Sequence, residues 1–215
     1  MATFSSCMVV VFATALAARA ETLDRIAVTV DKRVITEGDI IRDLRVAAFS
    51  DGKPVDLSPA AKREAAERLV EQILILQEAA DSHVILSTPD DTQRLLEAAR
   101  LPYGGEQEYR AALERYGIRE ADLASHLLDH LRALRFSDLR FHPDTQPSEK
   151  DLRDLYEKYA ADWRKSKATQ VPSFEESQAE LEALLAGQRA MLALDQWLEM
   201  ARAQRQIEYR EAVFQ

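Results

Sequence analysis

The chain has 215 residues, with 28 Lys and Arg against 37 Asp and Glu for a net charge of −9, and a single cysteine. An acidic chain with no sustained Lys/Arg block lacks the clustered cations that a phosphate backbone requires, which excludes nucleic acid as the main partner. One cysteine, Cys7, excludes an internal disulfide, and the length allows one substantial core without covalent staples.

Residues 1–20 read as a secretory signal: a short polar start, an apolar core from Met8 to Leu16, and Ala18-Arg19-Ala20 as a small-x-small cleavage site before Glu21. The n-region carries no Lys or Arg, which leaves a retained anchor as the alternative to cleavage, although the apolar run is well short of the roughly 20 residues a spanning helix needs. Removing the first 20 of 215 residues leaves 195, takes Arg19 and Cys7 away, and brings the net charge to −10. The expected product is an exported domain over 21–215, without disulfides and without stable membrane insertion once cleaved. Cys7 also lacks the small residues upstream that a lipoprotein acceptor would have.

Residues 25–30 and 33–35 read as two strands joined by Asp31-Lys32. A helix over 37–49 follows, opened by Thr36 and Asp39 as a capping box and stopped by Asp51-Gly52-Lys53-Pro54. Ser58-Pro59 starts a second helix with a capping hydroxyl and a proline where no amide partner is lost. Its stripe of Leu69, Ile73, Leu76 and Ala80, widened by Val70, Leu74 and Ile75, marks the central core helix. Thr88-Pro89 opens a third helix that reaches Leu101, and a fourth over 106–116 stops at Gly117. The fifth carries Leu123, Leu127, Leu131 and Leu134 at helical spacing and continues towards Leu139.

A linker over 142–147 separates these elements from a sixth helix capped by Ser148. Leu152, Leu155, Tyr156, Tyr159 and Trp163 share one of its faces, and the helix is expected to serve as an arm. The polar connector 166–172 leads to a last long helix to about Gln204, with Leu181, Leu184, Leu185, Gln188, Met191, Leu192 and Leu198 along its inner side. Residues 207–214 then switch to strand alternation. A two-stranded hairpin is marginal alone, so this strand is expected to join it as a third. The fold class is mostly α, with a small antiparallel sheet from an N-terminal hairpin and the C-terminal strand.

Catalytic patterns are sparse. There is no Gly-rich phosphate loop, no nucleophile elbow and no Cys to pair with a His. His126 and His130 stand four apart but lack the Glu that follows the first His of a zincin helix, and a third ligand is not evident, so they read as the polar flank of a Leu-striped helix. His83 and His142 fall in inter-helix turns. Acidic pairs such as Asp90-Asp91 and Glu175-Glu176 sit at helix starts, where the helix dipole favours them. No catalytic, metal or cofactor residues are assigned. The aromatic stripe Tyr156, Tyr159 and Trp163 is the candidate binding surface, because large amphipathic rings offer contact area at low entropy cost. Packing on the preceding helices explains the same stripe equally well.

Taken in order, Ile26-Ala-Val-Thr-Val-Asp-Lys-Arg-Val-Ile-Thr-Glu-Gly-Asp39, the core helix around 67–77, Tyr116-Gly-Ile-Arg-Glu-Ala-Asp-Leu123 and the closing 197–209 resemble the SurA N-terminal domain family of periplasmic chaperones. The hairpin turn lacks the glycine such turns favour. Members typically carry one or two parvulin prolyl isomerase domains before the closing helix. Here that place corresponds to 163–174, far too short for a domain of roughly 100 residues. What the resemblance implies is an ATP-independent holdase in the periplasm, needing no cofactor. It would bind unfolded or extended segments of exported and outer-membrane proteins, with helices in 21–165 closed by 173–215. Two other classes stay open: a divergent prolyl isomerase, and a scaffold whose groove holds one dedicated protein or a second copy of the chain.

Overall fold

A computed structural model describes residues 24–141, 147–165 and 172–215, the side chains of 162–165 excepted. The signal read in 1–20, the linker at 142–146 and most of the connector at 166–171 lie outside the described residues. Two strands, β1 (Ile26–Val30) and β2 (Arg33–Thr36), lead into α1 (Glu37–Asp51), α2 (Pro59–Asp81), α3 (Pro89–Arg100), α4 (Glu106–Tyr116) and α5 (Glu120–Phe141). After these come α6 (Glu149–Lys165), α7 (Phe174–Ala203), β3 (Ile207–Tyr209) and a short 3-10 turn over Glu211–Val213. The chain is mostly helical with a three-stranded antiparallel sheet in the order β2-β1-β3, so the two ends of the described chain meet in one sheet.

Local chemistry sets the helix ends. Thr36 Oγ1 accepts from the Asp39 amide at 3.1 Å while Asp39 accepts from the Thr36 amide at 3.0 Å, satisfying free donors at the start of α1. Ser173 and Glu176 repeat the device on α7, at 3.2 and 2.7 Å. Gly52 ends α1 at φ +65°, a conformation in which a side chain would be strained.

The hairpin turn succeeds without glycine because the other terminus holds it. Asp31 sits at φ +52°. Its amide donates to the Gln206 carbonyl at 2.9 Å, and its carboxylate accepts from the Gln206 amide at 3.0 Å and from Arg205 at 3.1 Å. Asp tolerates the left-handed region better than most residues, and three tertiary hydrogen bonds fix it there.

Two hydrophobic clusters form the interior. In the larger, Val28, Val30 and Ile35 of the sheet pack on Ala66, Val70 and Leu74 of α2, with Phe136 of α5, Leu198 of α7 and Val213. The smaller joins Val46 and Phe49 of α1 to Tyr109 and Leu113 of α4, to Ile118 of the turn that follows and to Leu123 of α5. Helix α5 spans both.

Three details depart from the sequence expectation. On α2 the fully buried residues are Ala65, Ala66, Val70, Leu74, Ile75 and Ala79, whereas Leu69, Ile73 and Leu76 are half-buried and Ala80 is exposed. The helix is apolar on two sides, and the sheet covers the one that carries more small residues. The closing strand stops at Tyr209, after which the backbone turns to bring Val213 into the core. Third, α6 packs along the N-terminal half of α7: Asp151 pairs with Arg189 at 2.8 Å and the Arg153 guanidinium lies 4.6 Å from the Phe174 ring.

Candidate functional site

The aromatic stripe of α6 is in part the seam of this helix pair. Tyr156 is half-buried, donates its hydroxyl to the Pro172 carbonyl at 2.9 Å and meets Phe174 edge-on at 5.7 Å. Leu152 and Ala160 of the same helix are buried, and Tyr159 is half-buried. The side chain of Trp163 lies outside those described. Tyr156 is thus anchored in the seam between α6 and the start of α7, with only part of its ring available to a ligand.

A larger apolar surface emerges where sequence alone placed core. Residues seven apart on a helix lie nearly above one another. On α5, Leu127 packs on the smaller cluster and Phe141 packs against Trp197, with ring centroids 5.9 Å apart, while Leu134 between them is 56% exposed. On α7, Leu198 is buried in the larger cluster and Leu184 is half-buried along the stretch that faces α6, while Met191 between them is 67% exposed. In both helices the apolar stripe loses its cover midway between two packed stretches. Leu192 and Leu139, 59% and 64% exposed, add to the uncovered apolar area of the same helices.

Beyond Leu127 the α5 stripe opens into a hollow of about 540 Å³ lined by Phe49, Leu95, Ala98, Pro102 and Tyr103. Burial pushes the Tyr103 phenol pKa up, as expected of an apolar wall. At 1.5 Å per residue, the uncovered Leu134 lies roughly 10 Å along α5 from Leu127 and the hollow. Such a shape suits a run of apolar side chains better than one small molecule.

A second concavity, a cleft of about 310 Å³, lies between β2 and α5 with Leu69, Ile73 and Leu76 of α2 along it. These are residues assigned to the core from the sequence, and with Val34, Ile35 and Val46 they form the apolar side of a cleft whose other side is charged. Asp43, 8% exposed, accepts from Arg68 at 3.1 Å and faces His126 Nδ1 at 3.2 Å. Burial opposes ionisation of Asp39, yet the Thr36 amide and hydroxyl and Arg42 together hold its carboxyl below the usual range. The Arg119 guanidinium does the same for Asp122. His126 is therefore engaged with Asp43, while His130 is exposed. Among the described residues, no group of three or more His, Cys, Asp or Glu is placed to hold a metal. No described helix is long and apolar enough to cross a membrane.

Sequence reasoning missed Leu134 and Met191 as surface because periodicity reports a face without reporting what covers it. No protein-family model matches the chain, and no curated protein matches it.

Proposed function

We propose that this protein is an ATP-independent holdase that shields unfolded exported polypeptides, outer-membrane proteins among them, in the periplasm, and that it acts without prolyl isomerase chemistry. The observation that carries the reading is the pair of apolar stripes on α5 and α7 left uncovered at Leu134 and Met191, together with the hollow that Leu127 helps to line. Exposed apolar surface beyond what scattered single residues give marks binding to other chains. Unfolded segments ordering on such a surface bind weakly per site and with broad sequence preference, which suits many clients. The order of elements shared with the SurA N-terminal domain family supports the same reading. So does the interval between Lys165 and Phe174, too short for an inserted enzyme domain.

The test is light scattering of a urea-unfolded outer-membrane protein diluted into buffer with the purified protein and no nucleotide. Scattering is expected to fall as the protein approaches stoichiometric amounts. Leu134→Glu combined with Met191→Glu is expected to restore most of the scattering while shifting thermal stability little, since substitutions at exposed positions usually fall within about 0.5 kcal/mol. No suppression at stoichiometric excess of the unaltered protein overturns the proposal.

A further inference from the structure

The cleft beside β2 has a wall made of unpaired backbone. Hydrogen bonds across the other side of β1 fix which groups point into it. Asp31 N donates to Gln206 O at 2.9 Å and Arg210 N donates to Ala27 O at 2.8 Å. These two bonds bracket the β1-β3 pairs Val30↔Ile207, Thr29↔Glu208 and Val28↔Tyr209. Since hydrogen-bonded pairs alternate in an antiparallel ladder, Thr29 is bonded to β3 and turns its backbone groups away from β2. Its partner on β2 is Val34, so the Val34 N–H and C=O also point away from β1 and towards the cleft. Among the described residues no strand lies on that side, and the Val34 side chain is 48% exposed. The Thr36 amide, next along the same edge, is already taken by Asp39.

We infer that this cleft binds an extended polypeptide as a short fourth strand beside β2, with Val34 supplying the paired backbone donor and acceptor and Leu69, Ile73 and Leu76 receiving one or two apolar side chains. The inference rests on the holdase reading only in taking a polypeptide as the ligand. Strand addition needs a backbone and reads sequence only through alternate side chains, so the occupant is an extended segment with apolar residues at every second position. The carboxylates of the cleft are already paired, Asp39 with Arg42, Asp43 with Arg68, Asp122 with Arg119 and Asp129 with Arg132, so the intervening positions need only be polar. At about 310 Å³ the cleft lies at the small end of ligand cavities, enough for a short stretch of chain and not for a folded partner. Only one residue of β2 offers both groups, so each contact is weak, as befits clients that must later leave.

The probe is an acetylated, amidated pentapeptide alternating lysine and valine, titrated into the isotope-labelled protein and followed by amide and methyl resonances. Saturation is expected to slow hydrogen exchange of the Val34 amide at least tenfold and to shift the methyls of Leu69, Ile73 and Leu76. Successive N–H groups of a strand point to opposite edges, so methylating the valine amides and methylating the lysine amides must differ. One version is expected to lose at least tenfold in affinity while the other keeps most of it. Val34→Pro removes the donor at a position where the ladder does not use it, and is expected to abolish the Val34-dependent binding with the fold retained. If that variant unfolds, the exchange and N-methyl results on the unaltered chain decide alone. Equal loss or no loss from the two methylated peptides overturns the inference, as does absence of binding at millimolar peptide. Shifts confined to Leu134, Met191 and α6 overturn it while leaving the holdase reading standing. Val34 protection that grows with protein concentration in the absence of peptide assigns the edge to a second copy and overturns it too.

Discussion

Asp91 and Tyr209 each tie distant parts of the chain together, and they titrate in opposite senses. Arg135, reached at 2.7 and 3.0 Å, and then the Thr88 amide hold the Asp91 carboxyl far below the usual range. A folded-state value below the unfolded one, about 3.9, contributes stability that is present above that value and lost as pH falls beneath it. Tyr209 is the reverse. Burial, and then the Glu67 carboxylate that accepts its hydroxyl at 2.8 Å, push its pKa up to about 12. Its contribution is full below the unfolded value near 10 and fades as pH rises from there towards about 12. Asp91→Asn is expected to lower Tm at pH 7 and flatten the fall in Tm between about pH 5 and pH 2. Tyr209→Phe is expected to lower Tm at neutral pH and flatten the alkaline fall above about pH 10. Melting curves across both ranges check the pair, and unchanged limbs in both variants would mean that neither contact contributes. The sequence placed Asp91 at a helix start, where it does accept from the Thr88 amide at 2.7 Å. Its partner Arg135 lies 44 positions away, and nothing local announces it.

Element boundaries were the most legible feature, since they depend on neighbours in sequence. Thr36 with Asp39, Ser58 with Pro59 and glycines at 52 and 117 mark helix ends within one or two residues of where they fall. Which face of an element is covered was less legible, because that depends on segments far away. Leu69, Ile73 and Leu76 continue an apolar stripe and yet border a cleft, and Met191 lies in line with Leu198 and Leu184 and yet is exposed. The candidate surface became visible only when the covering elements could be placed. One residue of α7 belongs to the same issue. Gly187 lies in the middle of a 30-residue helix, and a Cβ there would meet nothing within 4 Å. Packing therefore gives no reason for a glycine that costs about 1 kcal/mol of helix stability relative to alanine. Gly187→Ala is expected to stabilise the protein by about that amount, raising Tm by roughly 2–4 °C in a chain of this size. Urea titration and melting would check it, and a loss of stability would show that α7 must bend at this position.

At the scale of the molecule, the closing segment performs three jobs at once. It adds β3 to β1, and Gln206 and Arg205 just before it hold Asp31 at its positive φ. It also locks α2 through Glu67, which accepts from both Arg202 at 2.7 Å and Tyr209 at 2.8 Å. Arg63 stacks 4.2 Å from the Tyr209 ring and 5.1 Å from that of Phe214, and Val213 is buried in the main cluster. Burying one such side chain contributes about 1.5–3 kcal/mol, and Ile207, Tyr209 and Phe214 add fractions of that. Deleting 207–214 should therefore remove on the order of 5 kcal/mol or more, a large part of the 5–15 kcal/mol that holds a typical domain. The truncated chain is expected to keep much of its helical circular dichroism while losing its cooperative urea transition. Graded variants separate closure from mere loss of mass. Val213→Ala should cost about 2 kcal/mol through the cavity it leaves, and Tyr209→Phe about 1–2 kcal/mol through the lost hydrogen bond to a carboxylate. A truncation that leaves the urea midpoint unchanged would show that the sheet does not hold the two ends together. The helical body would then be stable by itself, and β3 would be free to leave β1.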